Sequence, residues 1–129
     1  MKNSIAAFAF LLLVSALTAV AADRVLLGER HVNDAGEKDT IEVGGDLGVF
    51  RGLQVQVTGS AVEFKRIVIE FENGQEQVFE KNRVLGKGEQ SRVIDLNGGP
   101  RKIDKVVFQY EARSRGWKGA NLKLYGVRP

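Results

Sequence analysis

The sequence predicts an all-β domain, two antiparallel sheets packed face to face as a single β-sandwich of about eight strands. Three observations carry this. Short runs alternate between apolar and polar residues. Turn-forming glycines separate those runs, and all 15 of them lie after residue 27. No segment beyond residue 22 sustains a helical period.

In chain order, residues 1–22 read as a cleavable signal peptide. Lys2 gives a positive start, Ile5 to Val20 is apolar, and Ala19-Val20-Ala21 offers the small-x-small pattern of a cleavage site. Cleavage after Ala21 or Ala22 leaves a mature chain beginning at Ala22 or Asp23. The alternative is an uncleaved anchor, for which the stretch is short against the roughly 20 apolar residues of a span. No Cys stands at the site to take a lipid. Residues 23–129 then form one domain in a periplasmic or secreted setting, with no stable membrane insertion after cleavage.

The strands follow at Val25–Leu27, Thr40–Val43, Leu53–Thr58, Val62–Phe71, Gln77–Glu80, Arg92–Leu96, Ile103–Tyr110 and Asn121–Val127. Gly and Asn accept positive φ cheaply, so the segments 33–36, 44–48, 58–60, 86–88 and 97–100 read as turns. Glu72-Asn73-Gly74 is the clearest hairpin signal. One strand changes parity within itself: Ile67, Ile69 and Phe71 share a face, whereas Val62 and Phe64 take the other. A bulge near Lys65-Arg66 restores the register, or else both faces are partly buried. The same conflict recurs between Ile103 and the set Val106, Phe108 and Tyr110.

That recurrence belongs to a weak internal repeat at an offset of 39, where residues 55–72 align without a gap to residues 94–111. Phe64 meets Ile103, Ile67-Val68-Ile69 meets Val106-Val107-Phe108, and Phe71 meets Tyr110. Two similar hairpins burying their apolar faces against one another account for this pattern. Ile67, Ile69, Phe71, Val106, Phe108 and Tyr110 are therefore expected to share one core.

The ordered set of Leu27-Gly28, "DTIEV", "FRGLQVQVTGSAVEFKRIVIEFENGQEQ", "SRVIDLNGGPRKIDKVVFQY" and "ANLKLYG" resembles a family of small exported bacterial proteins of unknown function, with members in enterobacterial periplasms. The resemblance spans nearly the whole mature chain. It implies a periplasmic or secreted β-sandwich and brings no catalytic residues.

Several chemistries find no residue set. With no Cys and a single His, His31, there is no disulfide, no thiol nucleophile and no transition-metal cluster. Ser60, Ser91 and Ser114 have no nucleophile elbow around them. Gly44-Gly45-Asp46-Leu47-Gly48 has glycines but neither a following Lys nor a helix to bind phosphate. Asp34, Glu37, Asp39, Glu42 and Asp46 crowd a Gly-containing stretch, but without the spacing of an established calcium loop. No cofactor is expected, nor nucleic acid, since residues 23–129 carry 18 Lys/Arg against 16 Asp/Glu.

Charge by half is more informative. Residues 23–72 hold six Lys/Arg against ten Asp/Glu, a net of −4, and residues 73–129 hold twelve against six, a net of +6. Within the basic half lies Arg113-Ser114-Arg115-Gly116-Trp117-Lys118, with the only Trp of the chain among three cations. Two readings stand. Trp117 stacks on a ligand while Arg113, Arg115 and Lys118 meet its charge, or Trp117 packs against the end of the sandwich. The expected function is a non-catalytic, monomeric binding or interaction module of the bacterial envelope that uses the basic C-terminal half. Its partner would be an anionic glycan, a lipid headgroup or an acidic protein. The alternatives are a small hydrolase acting on envelope polymer, and an inhibitor or chaperone-like partner of another secreted protein.

Overall fold

The computed structural model describes residues 23–80 and 82–129, and the expected signal peptide lies outside them. The described residues form β1 (Arg24–Val32), β2 (Glu37–Glu42), β3 (Val49–Phe50), β4 (Gly52–Thr58), β5 (Ala61–Phe71), β6 (Glu76–Phe79), β7 (Arg83–Leu85), β8 (Ile94–Asp95), β9 (Arg101–Arg113) and β10 (Ala120–Val127). All pairings are antiparallel. One sheet has the order β1-β10-β4-β8 and the other β2-β9-β5-β6, with β3 beside β9 and β7 beside β5. The fold is the expected all-β sandwich.

The parity changes are bulges. Phe64 pairs with Tyr110 and Arg66 with Gln109, so Lys65 is the extra residue on β5. Glu70 pairs with Lys105 and Phe71 with Ile103, so Asp104 is the extra residue on β9. Lys65 and Asp104 are themselves 39 residues apart. The pairing obeys the same relation: Phe64↔Tyr110 becomes Ile103↔Phe71, and Ile67↔Phe108 becomes Val106↔Ile69. A pseudo-two-fold axis therefore passes at the pair Val68↔Val107. The repeat units are not hairpins, however. In each, the turn carries the chain from one sheet (β4 or β8) to the other (β5 or β9). The true hairpin is β5–β6, turned at Gly74 with φ 88°.

Each bulge flips the following side chains so that apolar residues stay inward along the whole strand. Val62, Phe64, Ile69 and Phe71 of β5 are buried, as are Ile103, Val106, Phe108 and Tyr110 of β9. Leu53, Val55 and Val57 of β4 meet them with Leu122 and Leu124 of β10. Of the six residues expected to share the core, Ile67 is only partly buried, at the sandwich edge. Phe108 and Tyr110 stack with ring centroids 5.4 Å apart, beside Phe64.

The strands differ from the sequence reading in several bounds, and β3 and β7 are additional to it. β1 runs through Gly28 to Val32 because that glycine lets the strand close on the facing sheet: a Cβ there would lie 2.7 Å from Ile41 Cγ2. β7 is three residues long with its central Val84 exposed, too short for a visible alternation. β8 keeps two of its five expected residues, because upstream of it Ser91 Oγ accepts from Val55 N at 3.0 Å in place of a backbone carbonyl.

The two long edges of the sandwich are unlike. Along β1 and β2 it is closed by inward polar groups, with Arg30 donating to Thr40 O at 2.8 Å and the Tyr110 hydroxyl to Asp39 Oδ2 at 2.8 Å. Burial, then donation to Asp39, hold the Tyr110 phenol above its ordinary pKa. Between β6–β7 and the segment 90–95 the sheets part, leaving a cleft of about 870 Å³ that reaches Val55 and Phe64. Among the described residues, Gln77 alone crosses it, donating to Asp95 O at 3.0 Å and accepting from Asn97 N at 2.7 Å.

Candidate functional site

At one end of the sandwich the β1–β2, β4–β5 and β9–β10 connections meet, because β10 pairs with both β1 and β4, and β9 with β5. The loop 114–119 is stitched to both neighbours. Ser114 donates from N and from Oγ to Asp34, at 2.9 and 2.5 Å. Its Oγ accepts from Gly119 N at 2.8 Å, and Gly119 O accepts from Ser60 Oγ at 3.0 Å. Gly119 has φ 76°, and a Cβ there would collide with Val32 O and the His31 ring. The loop ends are thus fixed by hydrogen bonds and by a position that only Gly fits.

Between those ends, Gly116 and Trp117 are both left-handed, with φ 70° and 61°. Consecutive positive φ is the signature of a tight turn that Gly, Asn and Asp usually fill. In an L-residue it costs about 1–2 kcal/mol, and Trp117 is the sole non-Gly residue with positive φ among the described residues. The indole gains no burial in return, being 76% exposed. The packing reading of Trp117 therefore fails.

The four residues singled out in sequence divide in two. Arg115 and Lys118 are exposed beside Trp117 and form no ion pair among the described residues. Arg113 stands apart as the last residue of β9. It donates to Glu63 on β5 and lies 3.4 Å from Glu111, and the bond to Glu63 raises its pKa.

Arg113 belongs to a larger pattern. Across the outer face of β5 and β9, Lys65 lies 3.4 Å from Glu111, Lys105 3.8 Å from Glu70, and Arg66 3.5 Å from Glu80 just past β6. In the other sheet Lys123 lies 3.7 Å from Glu29. Strand pairing interleaves the acidic and basic halves of the sequence, so they do not form two opposed surfaces. The cations of the C-terminal half are therefore not gathered on one continuous face.

The acidic stretch disperses in the same way. Asp34 holds Ser114, Glu37 accepts from Asn33 N at 2.7 Å, and Asp39 takes the Tyr110 hydroxyl, while Glu42 and Asp46 face solvent. Among the described residues no three potential ligands gather. His31 lies with Nδ1 3.2 Å from Asn121 Oδ1. The anchoring set Asp34, Ser60 and Ser114 was missed in sequence, as was the cleft with Arg83 and Arg92 at its mouth. Both assemble residues that no local spacing connects.

No curated protein sequence matches the chain. Among solved structures, a family 29 carbohydrate-binding module is similar at 14% identity, over 80% of this chain and 90% of the module, with a TM-score of 0.37. AlgX of Pseudomonas aeruginosa matches at 13% identity over 81% of this chain and 27% of its own, with a TM-score of 0.38. The coat protein of tobacco streak virus matches at 11% identity over 84% of this chain and 88% of its own, with a TM-score of 0.34. A family model described as a domain of unknown function (DUF2541) matches residues 5–126, and the chain belongs to that family.

Proposed function

We propose that this protein is an exported, non-catalytic binding module that engages an anionic glycan through the loop 114–119. One observation carries the reading: a Trp held in a strained backbone conformation, exposed, on a loop whose ends are pinned. Folding gains little from this arrangement. A ligand gains a flat aromatic surface that is already ordered, so little entropy is lost on binding.

Indole stacks on the apolar face of a sugar ring, and the neighbouring cations Arg115 and Lys118 meet carboxylate, sulfate or phosphate groups on the chain. Because those cations are exposed, their share weakens with salt. Export rests on the leader features of residues 1–22. The non-catalytic reading has two supports in the geometry. The carboxylates of the β5–β9 face are engaged by Lys and Arg, and Ser60 and Ser114 are engaged by the loop itself.

Affinity electrophoresis of the mature chain, in gels containing polygalacturonate or its methyl ester, tests the proposal. Retardation is expected with the free acid alone, falling as salt rises and lost in the Arg115→Ser/Lys118→Ser variant. Equal mobility in both gels, or retardation that survives the double substitution, would refute it.

A further inference from the structure

We infer that the open edge of the sandwich is a second ligand site, independent of the Trp117 loop, that takes a single-chain amphiphile with a carboxylate head. The cleft of about 870 Å³ falls within the size of small-molecule sites, roughly 300–1,000 Å³. Its depth is apolar. Buried Val55 and Phe64 line it, with partly buried Ile67, Phe79, Leu85 and Ile94. Ile67, Phe79 and Leu85 pack on the core yet stay partly exposed, which costs hydrophobic stabilisation unless something covers them.

The polar groups of the cleft discriminate between occupants. Gln77 is used at both ends by Asp95 and Asn97. Gln90 accepts from Arg24 at 2.7 Å, and Ser91 Oγ donates to Arg92 O at 2.8 Å. A sugar, which needs many hydrogen bonds, would find those side chains already engaged. An alkyl chain needs none.

The charges stand at the mouth. Glu80 faces Arg66 at 3.5 Å and Asp95 faces Arg51 at 3.9 Å, so both acids of the lining already have a cation. Arg83 on one lip and Arg92 on the other form no ion pair among the described residues. Two arginines across an apolar slot suit one anionic head above one apolar tail. An added β-strand is a poorer occupant, since the edges on offer are short, β6 with four residues, β7 with three and β8 with two. The opposite edge, filled by Arg30, Asp39 and Tyr110, shows that an open edge is not a requirement of this sandwich.

Isothermal titration of the mature chain with decanoate below its micelle concentration, and with decanol, tests the inference. Saturable uptake of decanoate, one molecule per chain, is expected. The exposed pair Arg83→Ser/Arg92→Ser should weaken it by about five- to tenfold, the scale of two solvent-exposed ion pairs. Decanol should bind wild type and that variant alike, and Trp117→Asn should leave decanoate binding unchanged. Absence of saturation, equal decanoate affinity in the arginine variant, loss of uptake on Trp117→Asn, or retention on phosphatidylglycerol vesicles without uptake of free decanoate would each overturn it.

Discussion

The outer face of β5–β9 and the loop that leaves β9 carry the same residue types in opposite states. On the face, Lys65, Lys105 and Arg113 each stand within ion-pair distance of a carboxylate on the paired strand. A few residues further on, Arg115 and Lys118 stand beside an exposed indole without such a partner among the described residues. The difference teaches that the number of cations in a stretch says little about binding. What matters is whether the sheet register supplies the opposite charge. Across β5 and β9 it does, and a cation paired there has little field left for a ligand. A loop without a partner strand has no such neutralisation.

The largest effect should come from the shared core beneath that face. Phe108→Ala should cost about 3–5 kcal/mol and Ile69→Ala about 2–5 kcal/mol, since both side chains are fully buried. Denaturant unfolding measures this, and losses below about 0.5 kcal/mol at both sites, the level of an ordinary surface change, would contradict the core assignment.

Alkaline pH gives the next effect. Tyr110 has a raised pKa in the folded state, so its contribution is fully present below the unfolded value of 10.0 and is lost as pH climbs above it. Melting temperature should fall above about pH 10, and Tyr110→Phe should make that fall shallower. Parallel curves for the two proteins would remove Tyr110 from the account.

Charge substitutions sharpen the comparison directly. Arg113→Ser should lower the melting temperature at low salt, because it leaves Glu63 without a cation and Glu111 with Lys65 alone. Arg115→Ser/Lys118→Ser should not. Equal melting of the two variants would mean that the face and the loop are not distinct.

Much of the fold was legible because the bulges leave a trace in sequence. The parity change between Phe64 and Ile67 points to a bulge near Lys65-Arg66, and its echo between Ile103 and Val106 marks a second irregularity without naming Asp104, since apolar residues must regain the inner face. The internal repeat was visible for the same reason, but its turns were read as hairpins. Whether a Gly turn stays in one sheet or crosses to another depends on partners far along the chain. The alternation stops at Leu27, whereas the strand continues through Gly28, which marks a close approach to Ile41 from the other sheet. At the site, the composition of loop 114–119 was plain. Its anchors were not, because Asp34 and Ser60 lie 80 and 54 residues from Ser114 in sequence. The split of net charge between the halves does not persist in space, because antiparallel pairing interleaves what the sequence separates.

The central claim is that Trp117 is retained for a ligand at a cost to the fold. The most direct measurement is Trp117→Asn, followed by thermal unfolding and by affinity electrophoresis on polygalacturonate. Asn tolerates a left-handed backbone, so stability should hold or rise by up to about 1 kcal/mol, while retardation is lost. A destabilisation of about 3 kcal/mol or more, as for a deleted core aromatic, or unchanged retardation, would contradict the account.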